Sequence, residues 1–285
     1  MSADGVNRCL LLTDGLANVG ITDGNELTRH ATELLARGVS TTTFGVGAGF
    51  DEVLLTAMSN AGGGNFYFIE TAQQIEDLVT SEVGEALEVV ARDVTIELTT
   101  RENVAVESLT PYPTERHGAR TIVRLGALVS EQAVQVVLRL KFPHGEAGGE
   151  VGAIVALTDR DGAFSGAGAQ LAWEYALDAV VDSQPRDIDV DRAVARVFAA
   201  RARQEATALN RAGNFPAAQV AMLSVAKRIK GYGGADPDMG VLVAKLEADA
   251  STMAAPMAPA AAKQMQFASY ASLRSRSPEG KATRR

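Results

Sequence analysis

The sequence holds a single cysteine, Cys9, so no internal disulfide is possible and packing, hydrogen bonds and charge must hold the fold. Cys9 lies in the apolar run Cys9-Leu10-Leu11-Leu12 and is expected as a small buried hydrophobe. No apolar run approaches the roughly 18 residues needed to cross a bilayer, so no membrane span is expected. The opening MSADGVNR lacks the basic start and apolar core of a signal peptide, and the chain as given reads as cytoplasmic. Histidine is scarce: His30, His117 and His144 lie far apart. Neither Gly-x-Ser-x-Gly nor His-Glu-x-x-His occurs, and Ser165 has no identifiable base, so no catalytic function is expected.

Positive charge is short in the body of the chain. The net charge is -8, but residues 256–285 carry six Lys and Arg against Glu279, a net +5, which leaves -13 on the rest. Such a body lacks the basic face that phosphate contact requires, so nucleic acid is excluded as a main partner. The basic end, with its Ala, Pro, Met and Ser, reads as a disordered tail from residue 254 to 285. It could also touch an acidic partner or the acidic body itself.

Three motifs lose their force on inspection. Gly45-Val46-Gly47-Ala48-Gly49 has the wrong spacing for a dinucleotide loop and no Gly-Lys-Ser/Thr after it, so turn glycines at a strand end explain it. Asp187, Asp189 and Asp191 mimic the start of an EF-hand, but Arg192 and Phe198 stand where Gly and Glu belong. An acidic helix start fits them better. Asp159 and Asp161 before Gly162 read as a hairpin turn.

What is present is alternation. Residues 8–13 form an apolar strand ending in Asp14-Gly15. Asp23 and Glu26 then cap a helix with Leu27, Ala31, Leu34 and Leu35 on one face, and Gly38 stops it. Residues 39–46 are β-branched and strand-like, Asp51 caps a short helix, residues 66–69 make a third strand, and a longer helix runs to about residue 91. Such alternation predicts an α/β layer with a parallel, Rossmann-like sheet. From Asp93 the apolar period falls to two, with Pro and Gly turns, and predicts an antiparallel β-sandwich-like domain over 92–184. Trp173 and Tyr175 alternate there and are expected in its core. Residues 185–253 read as an α-helical segment, with Val220, Leu223, Ala226 and Ile229 following Pro216 and, after Asp236-Pro237, Met239, Leu242, Leu246 and Ala250 facing inward. The stretch ATALNRAGNFPAAQVAMLSVA resembles one tetratricopeptide hairpin.

The pieces LLLTDGLANVG at 10–20, VSTTTFGVG at 39–47 and GGGNFYFI at 62–69 resemble the C-terminal half of a von Willebrand factor A (VWA) domain, so residues 1–91 are read as a partial VWA domain. The order of a β-rich and then a helical region is similar to bacterial VWA proteins related to the inter-alpha-trypsin inhibitor heavy chain and calcium-activated chloride channel groups. That resemblance implies a metal ion-dependent adhesion site. The family builds it from an Asp-x-Ser-x-Ser loop, a Thr on a second loop and an Asp on a third, and Asp14 matches the third-loop Asp. Mg²⁺ wants about six oxygens near 2.0–2.1 Å. No Asp-x-Ser-x-Ser precedes Asp14, and Ser40, Thr41, Thr42 and Thr43 lie within a strand and do not replace it. Mg²⁺ is therefore expected only in a longer parent, with none held by this chain alone.

The family pairs the strand ending at Asp14 with a first strand that this sequence does not contain, which predicts an open apolar edge. A truncated record of a longer protein, or a half-domain completed by a partner, would account for it. The expected function is a non-catalytic protein-interaction module with a protein partner, metal-dependent in the parent. The alternative is an assembly scaffold without a metal role.

Overall fold

The computed structural model describes residues 5–164 and 168–284, so Ser165 lies outside the described residues. The first layer runs β1 (Asn7–Thr13), α1 (Gly24–Ala36), β2 (Val39–Val46), α2 (Glu52–Ala61), β3 (Gly63–Ile69) and α3 (Gln74–Leu87). The strands form a parallel sheet in the order β1-β2-β3, with Leu10 opposite Thr42 and Phe44 opposite Tyr67. Local chemistry sets the boundaries as expected. The Asp23 carboxylate accepts from the Glu26 amide at 2.8 Å to start α1, and Asp51 accepts from the Val53 and Leu54 amides to start α2. These are the donors that every helix start leaves unmet. Gly64 is required by close approach: a Cβ there would sit 2.2 Å from the Thr41 carbonyl oxygen.

The β-rich layer comprises β4 (Val89–Thr99), β5 (Ala105–Ser108), β6 (Thr114–His117), β7 (Arg120–Val129), β8 (Leu138–Lys141), β9 (Glu150–Thr158) and β10 (Ala169–Glu174). Five strands pair antiparallel in the order β10-β9-β4-β7-β6, and β5-β8 form a separate two-stranded sheet. Val94, Leu98, Val123, Val151 and Ala153 are buried on the larger sheet. Leu171 pairs with Ala153 and Trp173 with Val151, so they extend that face to the free edge. Trp173 is nonetheless 37% exposed, with only the Phe142 ring beside it at 5.0 Å. The core position expected for Trp173 is corrected accordingly: its strand is the outermost of five, and the second sheet has only two strands. Tyr175 is half-buried, its ring against Gly145. The short helix α4 (Asp178–Ser183) buries no residue.

The helical layer is α5 (Ile188–Arg211), α6 (Phe215–Gly233), α7 (Pro237–Thr252) and α8 (Pro259–Leu273). Asp187 caps α5, Asn214 caps α6 and Asp236 caps α7. Ala195 and Ala199 meet Ala226 and Ile229 in one core with Leu246, small residues letting two helices approach closely. Val220 and Leu223 are exposed. The buried line of α6 is Ala218, Met222, Ala226 and Ile229, displaced around the helix because small side chains fill the crossing.

The disordered tail expected over 254–285 is the largest correction. Pro259 opens α8 in its first turn, where a missing N–H costs nothing. Phe267, Tyr270 and Leu273 are buried along it. Phe267 sets its ring edge-on to Phe66 at 6.1 Å, and Tyr270 does the same at 5.8 Å. The Tyr270 hydroxyl donates to the Gly64 carbonyl at 3.1 Å, and Arg274 Nη2 donates to the same oxygen at 3.2 Å. The far edge of the parallel sheet is thus closed by the chain's own end. Basic residues find acidic partners on the body: Arg276 lies on Glu85 at 2.7 Å and Arg284 on Glu88. A charge reading alone could not separate a solvated tail from one that folds back on an acidic surface.

Because α8 closes this core, Phe267→Ala is expected to destabilise the protein by about 3–5 kcal/mol. A urea unfolding curve gives the value, and an unchanged midpoint would mean that α8 does not hold the sheet.

Candidate functional site

The carboxyl ends of β1 and β2 form the place where open α/β sheets hold ligands. Asp14 stands there, exposed, at the end of β1. The hydroxyl of Thr13 turns back on its own loop, accepting from the Gly15 amide at 3.2 Å and lying 3.1 Å from its carbonyl oxygen. The loop after β2 packs against this turn, since a Cβ on Gly49 would lie 2.4 Å from the Asp14 carbonyl oxygen. The glycine-rich stretch therefore serves loop packing, with Gly47 at φ +68.

Two threonine hydroxyls of β2 are engaged inside the protein. Thr42 donates to Glu82 at 2.8 Å and Thr43 to the Leu55 carbonyl at 2.9 Å. Thr41 is buried against Gly62. Among the described residues there is no group of three or more His, Cys, Asp and Glu side chains that could hold a metal. One exposed carboxylate is a poor match for a cation wanting about six oxygens. The residues present do not fit a Mg²⁺ site.

Beside this edge lies a cavity of about 360 Å³, lined by Leu16, Phe50, Glu52, Arg211, Met257 and Lys263 among others. Glu52, at the start of α2, is buried. One of its oxygens takes Arg211 from the end of α5, and the other takes the Lys263 ammonium of α8 at 2.9 Å. Lys263 also donates to the Phe50 carbonyl at 2.6 Å and lies 4.2 Å above the Phe50 ring. Burial, and then the neighbouring Arg211, push the Lys263 ammonium below its ordinary pKa. Glu52, Arg211 and Lys263 tie α2, α5 and α8 together, while Asp51 caps α2.

The other end of the sheet is organised by Glu82 of α3. Its carboxylate accepts from Arg8 of β1 at 2.5 Å, Thr42 of β2 at 2.8 Å, and Asn65 and Tyr67 of β3 at 3.0 and 2.8 Å. Burial opposes the charge on Glu82, and the Arg8 guanidinium with the hydrogen bonds of Asn65, Thr42 and Tyr67 overcomes it, so its pKa falls below the ordinary value. Burial pushes the Tyr67 phenol well up, so it stays a donor. Arg276 donates to the Tyr67 oxygen at 3.0 Å and holds Glu85 with two hydrogen bonds. Sequence reading missed this network, because Arg8, Glu82, Glu85 and Arg276 look like ordinary surface charges. The usable signal was a carboxylate among the apolar positions of α3.

The remaining expected sites are dispersed. Cys9 is half-buried, because its strand lies at the sheet edge. His30 neighbours Glu26 and Glu33 on its own helix, and His117 neighbours Glu115. Asp187 accepts from the Asp189 and Val190 amides, while Asp191 binds Arg186 at 2.5 Å. Asp159 accepts from the Ala163 amide and Asp161 pairs with Arg92, as a structured turn requires.

The outer edge of β1 stands in contrast to that of β3. Among the described residues no strand pairs with it, and Leu10 and Leu12 are 42% and 50% exposed. Leu16 and Val19 continue the exposed apolar surface into the following loop.

A parallel β1-β2-β3 layer with a β-rich and helical continuation has a von Willebrand factor A-type fold, and solved structures show it directly. A von Willebrand factor type A protein from Catenulispora acidiphila superposes with a TM-score of 0.66 at 15% identity, over 98% of this chain and 66% of that one. The ArnB paralog VWA2 from Sulfolobus acidocaldarius gives 0.50 at 13% identity, over 96% and 65%. The human COPII-coat protein Sec24c gives 0.55 at 14%, over 94% and 40%. In sequence, the uncharacterized protein YfbK of Escherichia coli (strain K12) is 36% identical over 91 residues, 32% of this chain and 16% of that protein. The chain thus spans less than two thirds of the length of each of these proteins. No family model matches it.

The sign of the Glu82 shift fixes an acid limit. A carboxyl whose pKa is lower in the folded state stabilises fully above its unfolded pKa, near 4.5, and that contribution is lost as pH falls through the folded value. Glu82→Gln is expected to cost about 3–5 kcal/mol at pH 7, since it strands Arg8. The variant should also show a flatter fall in stability below about pH 4.5. Denaturant titrations at pH 7 and pH 3.5 measure both; parallel acid curves for the two proteins would contradict the assignment.

Proposed function

We propose that this chain is a non-catalytic protein-interaction module that takes up an extended apolar segment of a partner polypeptide along the free edge of β1. The observation that carries the reading is the contrast between the two edges of one sheet. The β3 edge is closed by α8 with hydrogen bonds to Gly64, whereas among the described residues β1 has a strand on one side only and displays Leu10 and Leu12. An unpaired strand edge offers a row of amides and carbonyls to a further strand. Residues 9–13 of β1 carry no charge, which favours an apolar occupant. The resemblance to VWA domains supports the same occupant, because that family places a strand beside this one. The solved proteins of this fold also carry polypeptide beyond the part this chain matches.

Mg²⁺ has no part in this binding mode. A second reading is favoured by the exposed Asp14 carboxylate at the carboxyl end of β1: once a completing polypeptide supplies the other ligands, Asp14 belongs to a metal-dependent site. An assembly scaffold without metal is the first reading with a permanent occupant, and EDTA separates metal-dependent from metal-independent binding.

The test uses a synthetic peptide of alternating Val and Thr, about eight residues long to match the strand. Amide exchange in β1 is expected to slow by about tenfold on peptide binding, equally with and without EDTA, and Leu10→Lys with Leu12→Lys should abolish the effect. Unchanged β1 exchange at saturating peptide, or protection confined to the helical layer, would overturn the reading.

A further inference from the structure

At the seam of the parallel sheet, the β-rich layer and the C-terminal end lies a second, smaller cavity of about 80 Å³. That is far below the roughly 300–1,000 Å³ of an organic-ligand pocket and comparable with the space of two or three waters. Its lining includes Arg8 from β1, Tyr112 and Gln132 from the β-rich layer, and Arg274 and Arg276 from the chain's end.

The charges around it do not cancel. Glu82 is matched by Arg8, and Glu85 by Arg276. Asp93 has Arg160 at 3.5 Å, and Arg92 binds Asp161 outside the cavity. Arg274 differs from these arginines. It is 6% exposed, and among the described residues no carboxylate lies within ion-pair distance of it. Its guanidinium rests 4.2 Å over the Tyr112 ring and spends Nη2 on the Gly64 carbonyl. Its Nη1 is buried without a hydrogen-bond partner, and so is Nε of Arg8, which lines the same cavity. A buried cation without a counter-charge is costly, and a ring face offsets only part of that cost. Two unmet guanidinium donors and one unbalanced positive charge around a cavity of this size specify a small monovalent anion.

We propose that this cavity is a halide site, filled by chloride and held by Arg274 Nη1 and Arg8 Nε. The anion neutralises Arg274 and, by joining residues of β1 to the end of α8 beside Tyr112, fastens the C-terminal segment to both sheets. Chloride is then a structural ligand of the docked tail, separate from the β1 edge and from Asp14.

Two measurements test this. Crystals of the wild-type protein grown in sodium bromide should show a bromide anomalous peak between Arg274 and Arg8. Thermal unfolding in sodium chloride and in sodium gluconate at equal ionic strength should differ, with chloride at about ten times its Kd raising Tm by about 2–4 °C. Arg274→Met should remove that difference. A cavity holding only water in bromide, equal Tm values for the wild type in the two salts, or a difference that persists in Arg274→Met would overturn the proposal. Should Arg274→Met fail to fold, the wild-type bromide crystal decides alone.

Discussion

A carboxylate removed from water either finds donors for its oxygens or gives up its charge, and the three strands of this sheet are arranged so that Glu82 finds four. Arg8, Thr42, Asn65 and Tyr67 come from β1, β2 and β3 and reach one side chain of α3. If Glu82 were lost, the Asn65 side-chain amide would lose its acceptor and the Arg8 guanidinium its counter-charge. The cluster therefore fixes the order in which the strands lie beneath α3, a constraint that apolar packing of similar β-branched strands does not impose. Tyr67 passes the network on to Arg276 and Glu85, so the same polar core also governs where the end of the chain is placed.

That second role explains why residues 259–284 are folded although their composition argues for disorder. An Ala-rich helix opened by proline has adequate propensity but little stability by itself. Its order comes from three kinds of contact arriving together. Phe267 and Tyr270 fill the aromatic core around Phe66, Lys263 meets Glu52, and Arg276 meets Glu85. A net +5 segment beside a -13 body is electrostatically biased toward return, but long-range bias is screened and nondirectional. The named pairs supply the geometry.

Sequence reading recovered what local rules control. Asp23 and Asp51 were legible as caps, Asp187 with Asp189 and Asp191 as an acidic helix start, Gly38 as a stop, the period change near Asp93 as a change of layer, and Asn214 with Pro216 as a helix turn, because each effect acts within a few residues. The parallel sheet followed from alternation alone. What stayed hidden was tertiary. Trp173 alternates like a core residue, yet whether a strand is covered depends on the number of strands in the opposite sheet. Lys263, Phe267, Tyr270 and Arg274 fall at helical spacing and could have revealed α8. Their mixed character obscured it, since two of the four are charged and carry buried partners more than 200 residues away. At the candidate site, Asp14 was placed correctly at the end of β1, whereas the Glu82 network has no motif to betray it.

The asymmetry of the parallel sheet then has a physical reading. Both edges begin with the same problem, a row of unpaired backbone groups flanked by apolar side chains. At β3 the chain solves it with α8, spending a tyrosine hydroxyl and an arginine on the carbonyl of Gly64. At β1 none of the devices that blunt an edge is used along residues 9–13: no lysine, no proline and no bulge. The only charged residue in the strand, Arg8, is turned inward to Glu82 and so cannot serve as an edge guard. Under the proposed binding mode, the edge left unguarded, β1, is the one that takes a further strand. That places an arriving segment alongside Leu10 and Leu12 and brings its end toward the loop of Asp14, which is where other polypeptide would have to stand for that carboxylate to join a larger site.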